Sequence, residues 1–224
     1  MLRPKKHITK KEIQRDPLLE SVDQAQAHIE KNRSMYTMTG IGLVAILIGF
    51  NIISDKRKKN SVEASSALGQ ALISLDRGDV NTAKFQLETV INDYEKTNSG
   101  NLSNYYLGKM KYELEEYDKA ENHINIFLKN NSHDYLVASA YEILSDIKLR
   151  NNDIDEAIRL IDDGLRSVDN QNSKISLQLR KAELVLKNGD KELSRTIVDN
   201  ILEEKNLGSD YKKTAEEIFG KLTG

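Results

Sequence analysis

The chain has 224 residues, of which 38% are hydrophobic and 30% are charged, and its formal net charge is −2. It contains no cysteine, which excludes disulfide bonds, thiolate metal sites, cysteine nucleophiles and an acylated lipoprotein anchor. A net charge so close to zero gives no support for nucleic acid binding. Both prolines, Pro4 and Pro17, lie near the start, so the later sequence favours helix.

Residues 1–34 form a basic N-terminal arm with eight basic and five acidic side chains. Near its end, apolar residues recur at helical spacing and predict a short amphipathic helix. These residues are Leu18, Val22, Ala25 and Ile29. Two roles stay open for the arm: it lies along anionic lipid headgroups, or it acts only as a solvated signal for membrane topology.

Residues 35–54 are predicted to form a single transmembrane helix. The run from Met35 to Ile53 has no charged side chain, and a helix of that length spans roughly 28 Å, close to the hydrocarbon thickness of a bilayer. The alternative is a buried core helix, although core helices of small domains rarely continue this far without a charge. The late start of the run and the lack of a small-x-small cleavage site argue against a cleaved signal peptide.

The charges around this helix conflict about its orientation. The basic arm favours an N-terminus in the cytoplasm, whereas the basic linker at residues 55–60, with its four consecutive basic residues at 56–59, favours the reverse. The remainder of the chain is acidic overall. We therefore expect the N-terminus inside and the C-terminal domain outside.

Residues 61–224 contain an internal repeat of 37 residues. Small residues fill two columns twelve positions apart: Ala71, Gly108, Ser145 and Ala182, then Ala83, Ala120, Ala157 and Ser194. Aliphatic residues fill two more columns, four and eight positions later: Leu87, Ile124, Ile161 and Val198, then Ile91, Leu128, Leu165 and Leu202. Four columns that persist over four copies predict one repeated structural unit.

Each unit is predicted to be a pair of antiparallel helices joined by a short turn. The turns begin at Gly78-Asp79 or its equivalents, where Asp and Asn oxygens would cap the second helix. One hairpin cannot bury its own apolar face, so stacking is required. A last helix over residues 209–222 is expected to close the stack with Ala215, Ile218 and Leu222 facing inward.

The second copy carries recognisable sequence features, namely Tyr105-Tyr-Leu-Gly108 and Tyr117-Asp-Lys-Ala120. These aromatic–leucine–glycine and tyrosine-x-x-alanine patterns resemble the tetratricopeptide repeat family. The resemblance implies an all-α fold, in which one transmembrane helix is followed by an α-solenoid of about four tetratricopeptide-like hairpins and a C-terminal capping helix. It also implies a protein–protein interaction scaffold.

The layout of the whole chain also resembles a narrower group of proteins. A basic arm containing His7-Ile-Thr-Lys-Lys-Glu-Ile13, one anchor and a divergent helical repeat domain is similar to bacterial single-pass proteins related to the ancillary subunit of the Sec translocon. That resemblance implies a bacterial inner-membrane protein whose repeats lie in the periplasm and contact translocon subunits or periplasmic chaperones.

No constellation of catalytic residues is recognisable. The four histidines are scattered at positions 7, 28, 123 and 133, each is interpreted as an exposed surface residue, and no metal-binding spacing occurs. Phosphate-binding glycine loops and a nucleophile elbow are also absent from the sequence. We therefore expect no enzyme activity, no cofactor, no metal and no small-molecule substrate.

A protein partner is expected on the face lined by the first helices of the hairpins. Its candidate residues are Tyr105, Lys109, Tyr112, Glu142, Asp146, Arg150 and Glu183. The alternative for Tyr105 and Tyr112 is a packing role between units, and the column of Tyr112 otherwise holds leucine. Lys109, Glu142 and Asp146 are the better surface candidates.

These observations predict a membrane-anchored scaffold that assists protein translocation or periplasmic quality control at the inner membrane. A repeat scaffold that faces the cytoplasm is one alternative. An envelope or division assembly factor built on the same repeats is the other.

Overall fold

The computed structural model describes residues 17–130 and 134–223, and within these residues the chain is helical, with no strand. The helices are α1 (Pro17–Lys31), α2 (Arg33–Asp76), α3 (Val80–Asp93), α4 (Asn98–Glu113), α5 (Tyr117–Lys129), α6 (Asp134–Arg150), α7 (Ile154–Ser167), α8 (Gln171–Lys187), α9 (Lys191–Leu202) and α10 (Ser209–Thr223). Contacts divide the chain into two compact units, Met1–Lys58 and Lys59–Gly224. The predicted linker at 55–60 contains this boundary and is itself helical.

The first unit contains α1 and the apolar part of α2. Helix α1 covers the predicted amphipathic segment, and its Val22 and Ile29 are exposed. By length and composition α2 can cross a membrane, and no part of its apolar window is buried. The apolar segment is therefore not a core helix of the described structure.

The second unit contains four hairpins and a closing helix, as the repeat predicts. The hairpins pair the end of α2 with α3, then α4 with α5, α6 with α7 and α8 with α9. Helix α10 packs on α8 and α9. Its predicted inward residues are all buried: Ala215, Ile218 and Leu222.

The two columns of small residues meet inside each hairpin. Ala71, Ser145 and Ala182 are fully buried, as are all four members of the other column. A Cβ placed on Gly108 would come within 2.9 Å of the Ile124 side chain and 3.2 Å of the Ile124 backbone nitrogen, so α4 and α5 approach too closely for a larger residue. The sequence prediction of close backbone contact is confirmed.

Two positions of the small-residue columns hold serine instead of alanine, and each serine side chain makes a hydrogen bond. The Ser145 hydroxyl donates to the Ala157 carbonyl oxygen at 3.0 Å, and the Ser194 hydroxyl donates to the Ala182 carbonyl oxygen at 2.9 Å. Each bond joins the two small columns across one hairpin. Each buried hydroxyl therefore has a hydrogen-bond partner, and the paired helices need no wider separation to hold it.

The aliphatic columns differ in depth. Leu87, Ile124, Ile161 and Val198 are fully buried. The column eight positions after the small residue is only half-buried, whereas the position just before it is buried and holds Val90, Phe127, Gly164 and Ile201. The deeper contact therefore lies one residue earlier than the aliphatic column predicts.

The turns repeat the same backbone geometry every 37 residues. Gly78, Glu115, Asn152 and Gly189 all have positive φ, between 61° and 93°. In each turn the following amide donates to a carbonyl five residues back, which ends the first helix in a Schellman motif. Glycine is favoured there, yet two copies use other residues.

The predicted capping carboxylates are present in three copies. Asp79, Asp153 and Asp190 accept backbone N–H bonds from Thr82, Glu156 and Leu193 respectively. The second copy differs, because Glu116 makes no capping hydrogen bond. Its carboxylate instead binds the buried Lys111 at 2.9 Å and Lys119 at 2.5 Å.

Candidate protein-docking face

Helices α4, α6, α8 and α10 line one face of the repeat unit. Each contacts the next, whereas the described residues of α5, α7 and α9 make no contact with one another. The stack therefore curves with α4, α6 and α8 on the inside, as in other helical-repeat solenoids. All seven residues proposed from the sequence belong to these three helices.

Hydrogen bonds connect successive inner helices at a fixed separation of 34 residues. The Tyr105 hydroxyl donates to Ser139 Oγ at 2.9 Å, and the Tyr112 hydroxyl donates to Asp146 Oδ2 at 3.2 Å. Ser176 Oγ donates to Glu142 Oε1 at 2.7 Å. The inner face is therefore held by polar contacts between the hairpins.

Arg180 joins two acidic residues of the inner face. Its guanidinium binds Asp146 and lies 2.9 Å from Glu183 Oε2. Since Tyr112 also donates to Asp146, one network extends from α4 through α6 to α8. Charge-assisted bonds of this kind fix side chains more firmly than neutral ones do.

Arg150 lies at the end of α6 beside two tyrosines. Its guanidinium carbon is 5.8 Å from the centre of the Tyr112 ring and 5.2 Å from that of Tyr117. Both distances fit cation–π contacts. Arg150 and Tyr112 therefore stabilise each other's side-chain position. Tyr112 has both a packing and a polar role.

Glu142 is a polar residue at an apolar position. The equivalent residues in the other copies, Leu68, Tyr105 and Leu179, are buried. Burial raises the pKa of the Glu142 carboxyl, and the nearby Asp146 and Glu183 add to this effect, against the opposing Ser176 hydrogen bond and the charge of Arg180. Glu142 is half-buried and lines the inner face, so it stays a candidate for partner binding.

The remaining candidates differ in environment. Tyr105 is buried, with 4% of its surface exposed, and packs on Phe127. Lys109 is exposed and makes no hydrogen bond or ion pair with the described part of the chain. The structure thus brings Tyr112, Asp146, Arg150 and Glu183 together and leaves Lys109 apart.

Two adjoining pockets extend the inner face toward α10. One has a volume of about 390 Å³ and is lined by Ser139, Glu142, Ser176 and Tyr211, among others. The other, of about 320 Å³, shares Glu142, Ser176 and Tyr211 and adds Asp146, Arg180 and Glu183. Both pockets are open to solvent and form parts of one surface depression.

Sequence reasoning missed Ser139, Ser176, Arg180 and Tyr211. The signal that could have found three of them is the 34-residue interval, which pairs each inner helix with the next. The 37-residue repeat does not reveal the 34-residue interval, because that interval depends on how neighbouring hairpins stack. Tyr211 comes from α10, which lies outside the repeat.

The two histidines that the structure describes differ in burial. His28 is exposed as predicted, but His123 is half-buried, and its Nδ1 lies 2.9 Å from Asn104 Oδ1. His7 and His133 lie outside the described residues. Within the described ranges, no group of three or more His, Asp or Glu side chains is arranged to hold a metal ion.

Comparisons with known proteins agree with this architecture. A family model described as a tetratricopeptide repeat-like domain matches residues 26–206. A crystal structure of nearly identical tetratricopeptide-like repeats, from a variant of a putative kinesin light chain of Podospora anserina, matches with a TM-score of 0.51 and 15% identity over 72% of this chain and 93% of that one. At this identity the match supports the fold alone. No curated protein matches the sequence.

Proposed function

Because the chain belongs to the tetratricopeptide repeat-like family, whose repeats suggest a protein–protein interaction scaffold, we propose that it is a membrane-anchored scaffold that docks other proteins on its inner face. The observation that carries this proposal is the unburied apolar stretch of α2, on the same chain as the repeats. The proposed organisation is an arm at 1–34, a transmembrane helix at 35–54, a linker at 55–60 and a docking domain at 61–224.

The membrane assignment is supported by the exposure of large apolar side chains. Ile41, Leu47 and Phe50 are 69%, 67% and 72% exposed. Water contact with each such side chain costs about 1.5–3 kcal/mol relative to burial. Lipid acyl chains would remove that cost along residues 35–54. The family model begins at residue 26, so it covers the apolar segment as well as most of the repeats and supports treating both as parts of one architecture.

The proposed role is assistance to protein translocation or quality control in the periplasm, at the bacterial inner membrane. Tethering would keep the inner face close to integral membrane partners and raise its effective concentration toward them without high intrinsic affinity. Translocon subunits and periplasmic chaperones are the proposed partners. This assignment is supported by the resemblance in layout and by the basic arm, which favours an N-terminus in the cytoplasm.

One observation favours a second candidate, a scaffold whose repeats face the cytoplasm. The basic run at residues 56–59 directly follows the apolar helix, where positive charge favours the cytoplasmic side. An envelope or division assembly factor would share the first orientation and differ in its partners.

Orientation is tested by fusing alkaline phosphatase or a green fluorescent protein after Gly224 in full-length protein. We expect phosphatase activity without fluorescence, and the opposite result would favour the cytoplasmic scaffold. Extraction with alkaline carbonate should leave the protein in the membrane pellet. Release into the soluble fraction would contradict the anchor.

Docking is tested by photo-crosslinking in native membranes. A benzoylphenylalanine at the exposed Lys109 of α4 should trap partner proteins, whereas the same residue at Glu192, exposed on α9, serves as the matched control. Translocon subunits or chaperones among the products of the Lys109 probe would support the proposed role. Equal products from both probes would contradict docking on the inner face.

A further inference from the structure

The inner groove, defined by Ser139, Glu142, Asp146, Ser176, Glu183 and Tyr211, combines open volume with an unusual charge arrangement. It extends through both pockets between α6, α8 and α10. Three of its side chains carry carboxylates, and the guanidinium that lines it, Arg180, is already bound to Asp146 and Glu183. The groove therefore holds more negative charge than it neutralises.

Among the three carboxylates of the groove, Glu142 is the one without an ion pair in the described residues, and the charge of Arg180 reaches it only from a greater distance. Its hydrogen bond comes from the neutral Ser176 hydroxyl, and no ion pair reaches it within the described part of the chain. The residues that replace it in other copies are leucine at 68 and 179 and tyrosine at 105, all buried. A half-buried carboxylate is costly unless it is paired, so an apolar residue would serve stability better at this position.

The charge and shape of the groove limit its occupant. A metal ion is disfavoured because no described cluster of His, Asp or Glu side chains has a metal-binding arrangement. An organic cation at the end of a flexible side chain fits better, because it can reach Glu142 while the rest of its chain lies along the groove beside Ser139 and Tyr211. Lysine and arginine side chains have this chemistry.

We propose that the inner groove binds an extended peptide segment of a partner protein through a lysine or arginine side chain, with Glu142 as its counter-ion. This inference rests on the proposed docking function and adds the charge class of the docked segment. Pairing with the incoming cation would give Glu142 the direct ion pair that the described residues do not provide. Asp146 and Glu183 would add attraction at longer range.

The test uses full-length protein in lipid nanodiscs and a labelled short peptide with lysine at every third position in a Gly/Ser/Ala background. Matched peptides carry glutamine or glutamate in place of lysine, and binding is followed by fluorescence anisotropy. We expect the lysine peptide to bind at least about tenfold more tightly than the glutamine peptide, since a charge-assisted bond to a partly buried partner is lost. The glutamate peptide should bind most weakly.

The protein variants assign the effect to Glu142. Glu142→Gln should weaken lysine-peptide binding about tenfold or more, whereas Glu192→Gln, on the exposed first turn of α9, should leave it unchanged. Glu142→Leu restores the residue of the first and fourth copies, so it should bind as weakly as Glu142→Gln while folding normally. Circular dichroism melts check the fold of each variant.

Several results would overturn the inference. These are equal affinity for all three peptides, full binding by both Glu142 variants, no detectable peptide binding, and saturation by free spermidine at the same affinity as by the lysine peptide, which would indicate a polyamine site. None of them removes the crosslinks expected from the Lys109 probe, so the proposed docking function and the charge class of its ligand fail separately.

Discussion

The hairpin interiors and the inner face of the same repeats follow opposite rules. Between the paired helices, the two small columns stay small in all four copies, and their described members are buried. On the inner face, equivalent positions change from copy to copy, as in Leu72, Lys109, Asp146 and Glu183. Packing fixes residue size where backbones meet, whereas the more exposed positions of the curved face accept different residue types. Diversity is therefore concentrated where a partner would dock.

The largest expected effect comes from the hairpin interior. Ile161→Ala removes a fully buried side chain from a column that is aliphatic in every copy, and should lower the free energy of unfolding by about 2–5 kcal/mol. Ile73→Ala, at a position 53% exposed on α2, should cost less than about 1 kcal/mol. Urea unfolding of full-length protein in detergent measures both. Similar losses would mean that the columns do not mark the core.

Two residues at equivalent positions on the inner face, Asp146 and Lys109, should differ in their effect on stability. Asp146→Lys places an ammonium beside Arg180 and removes the acceptor of Tyr112, so we expect a loss of about 1–3 kcal/mol. Lys109→Glu changes an exposed side chain and should stay within about 0.5 kcal/mol of the parent. The same urea titrations compare them. A neutral Asp146→Lys would indicate that the network contributes nothing to stability.

The serines in the small columns should show a smaller effect. Ser145→Ala keeps the size of the column and removes the bond to the Ala157 carbonyl, at a cost of about 1 kcal/mol. Ser65→Ala, at an exposed position of α2, carries the same gain in helix propensity without that loss. The difference between the two variants therefore isolates the buried bond. If Ser145→Ala is as stable as Ser65→Ala, the bond has no net value.

The sequence predicts local features of the repeat better than features that arise from stacking. The 37-residue columns and the capping residues Asp79, Asp153 and Asp190 depend on contacts within one hairpin, so spacing alone reveals them. The hydrogen bonds from Tyr105 to Ser139 and from Ser176 to Glu142 instead join neighbouring hairpins. No spacing within one copy indicates these contacts.

The inner face was only partly predictable for the same reason. The seven candidates lie on the inner helices, but the environment of Glu142 follows from Ser176 and Arg180 on the next hairpin. A column comparison alone could have marked Glu142 as unusual, since Leu68, Tyr105 and Leu179 are apolar or aromatic. The bond that satisfies it required the stacked structure.

The smallest effect expected is an opposite response of two glutamates to acid. Hydrogen bonds from Lys119 and Lys111 lower the pKa of Glu116 to about 2, whereas burial raises the pKa of Glu142 above its usual value of 4.5. Stability from Glu116 is present above pH 4.5 and is lost as the pH falls toward 2. For Glu142 the folded state binds the proton more tightly, so stability rises as the pH falls through its raised pKa toward 4.5.

Unfolding titrations at stepped pH on full-length protein and two variants can separate these contributions. Glu142→Gln should flatten the rise in stability just above pH 4.5, because the neutral amide no longer titrates there. Glu116→Gln should flatten the loss between pH 4.5 and 2 and leave Lys111, which is 4% exposed, without its carboxylate at neutral pH. The second variant should thus be the less stable of the two at pH 7. The reverse order would mean that the Lys111–Glu116 pair is dispensable and that Glu142 contributes to the fold instead of leaving its charge unpaired for a partner.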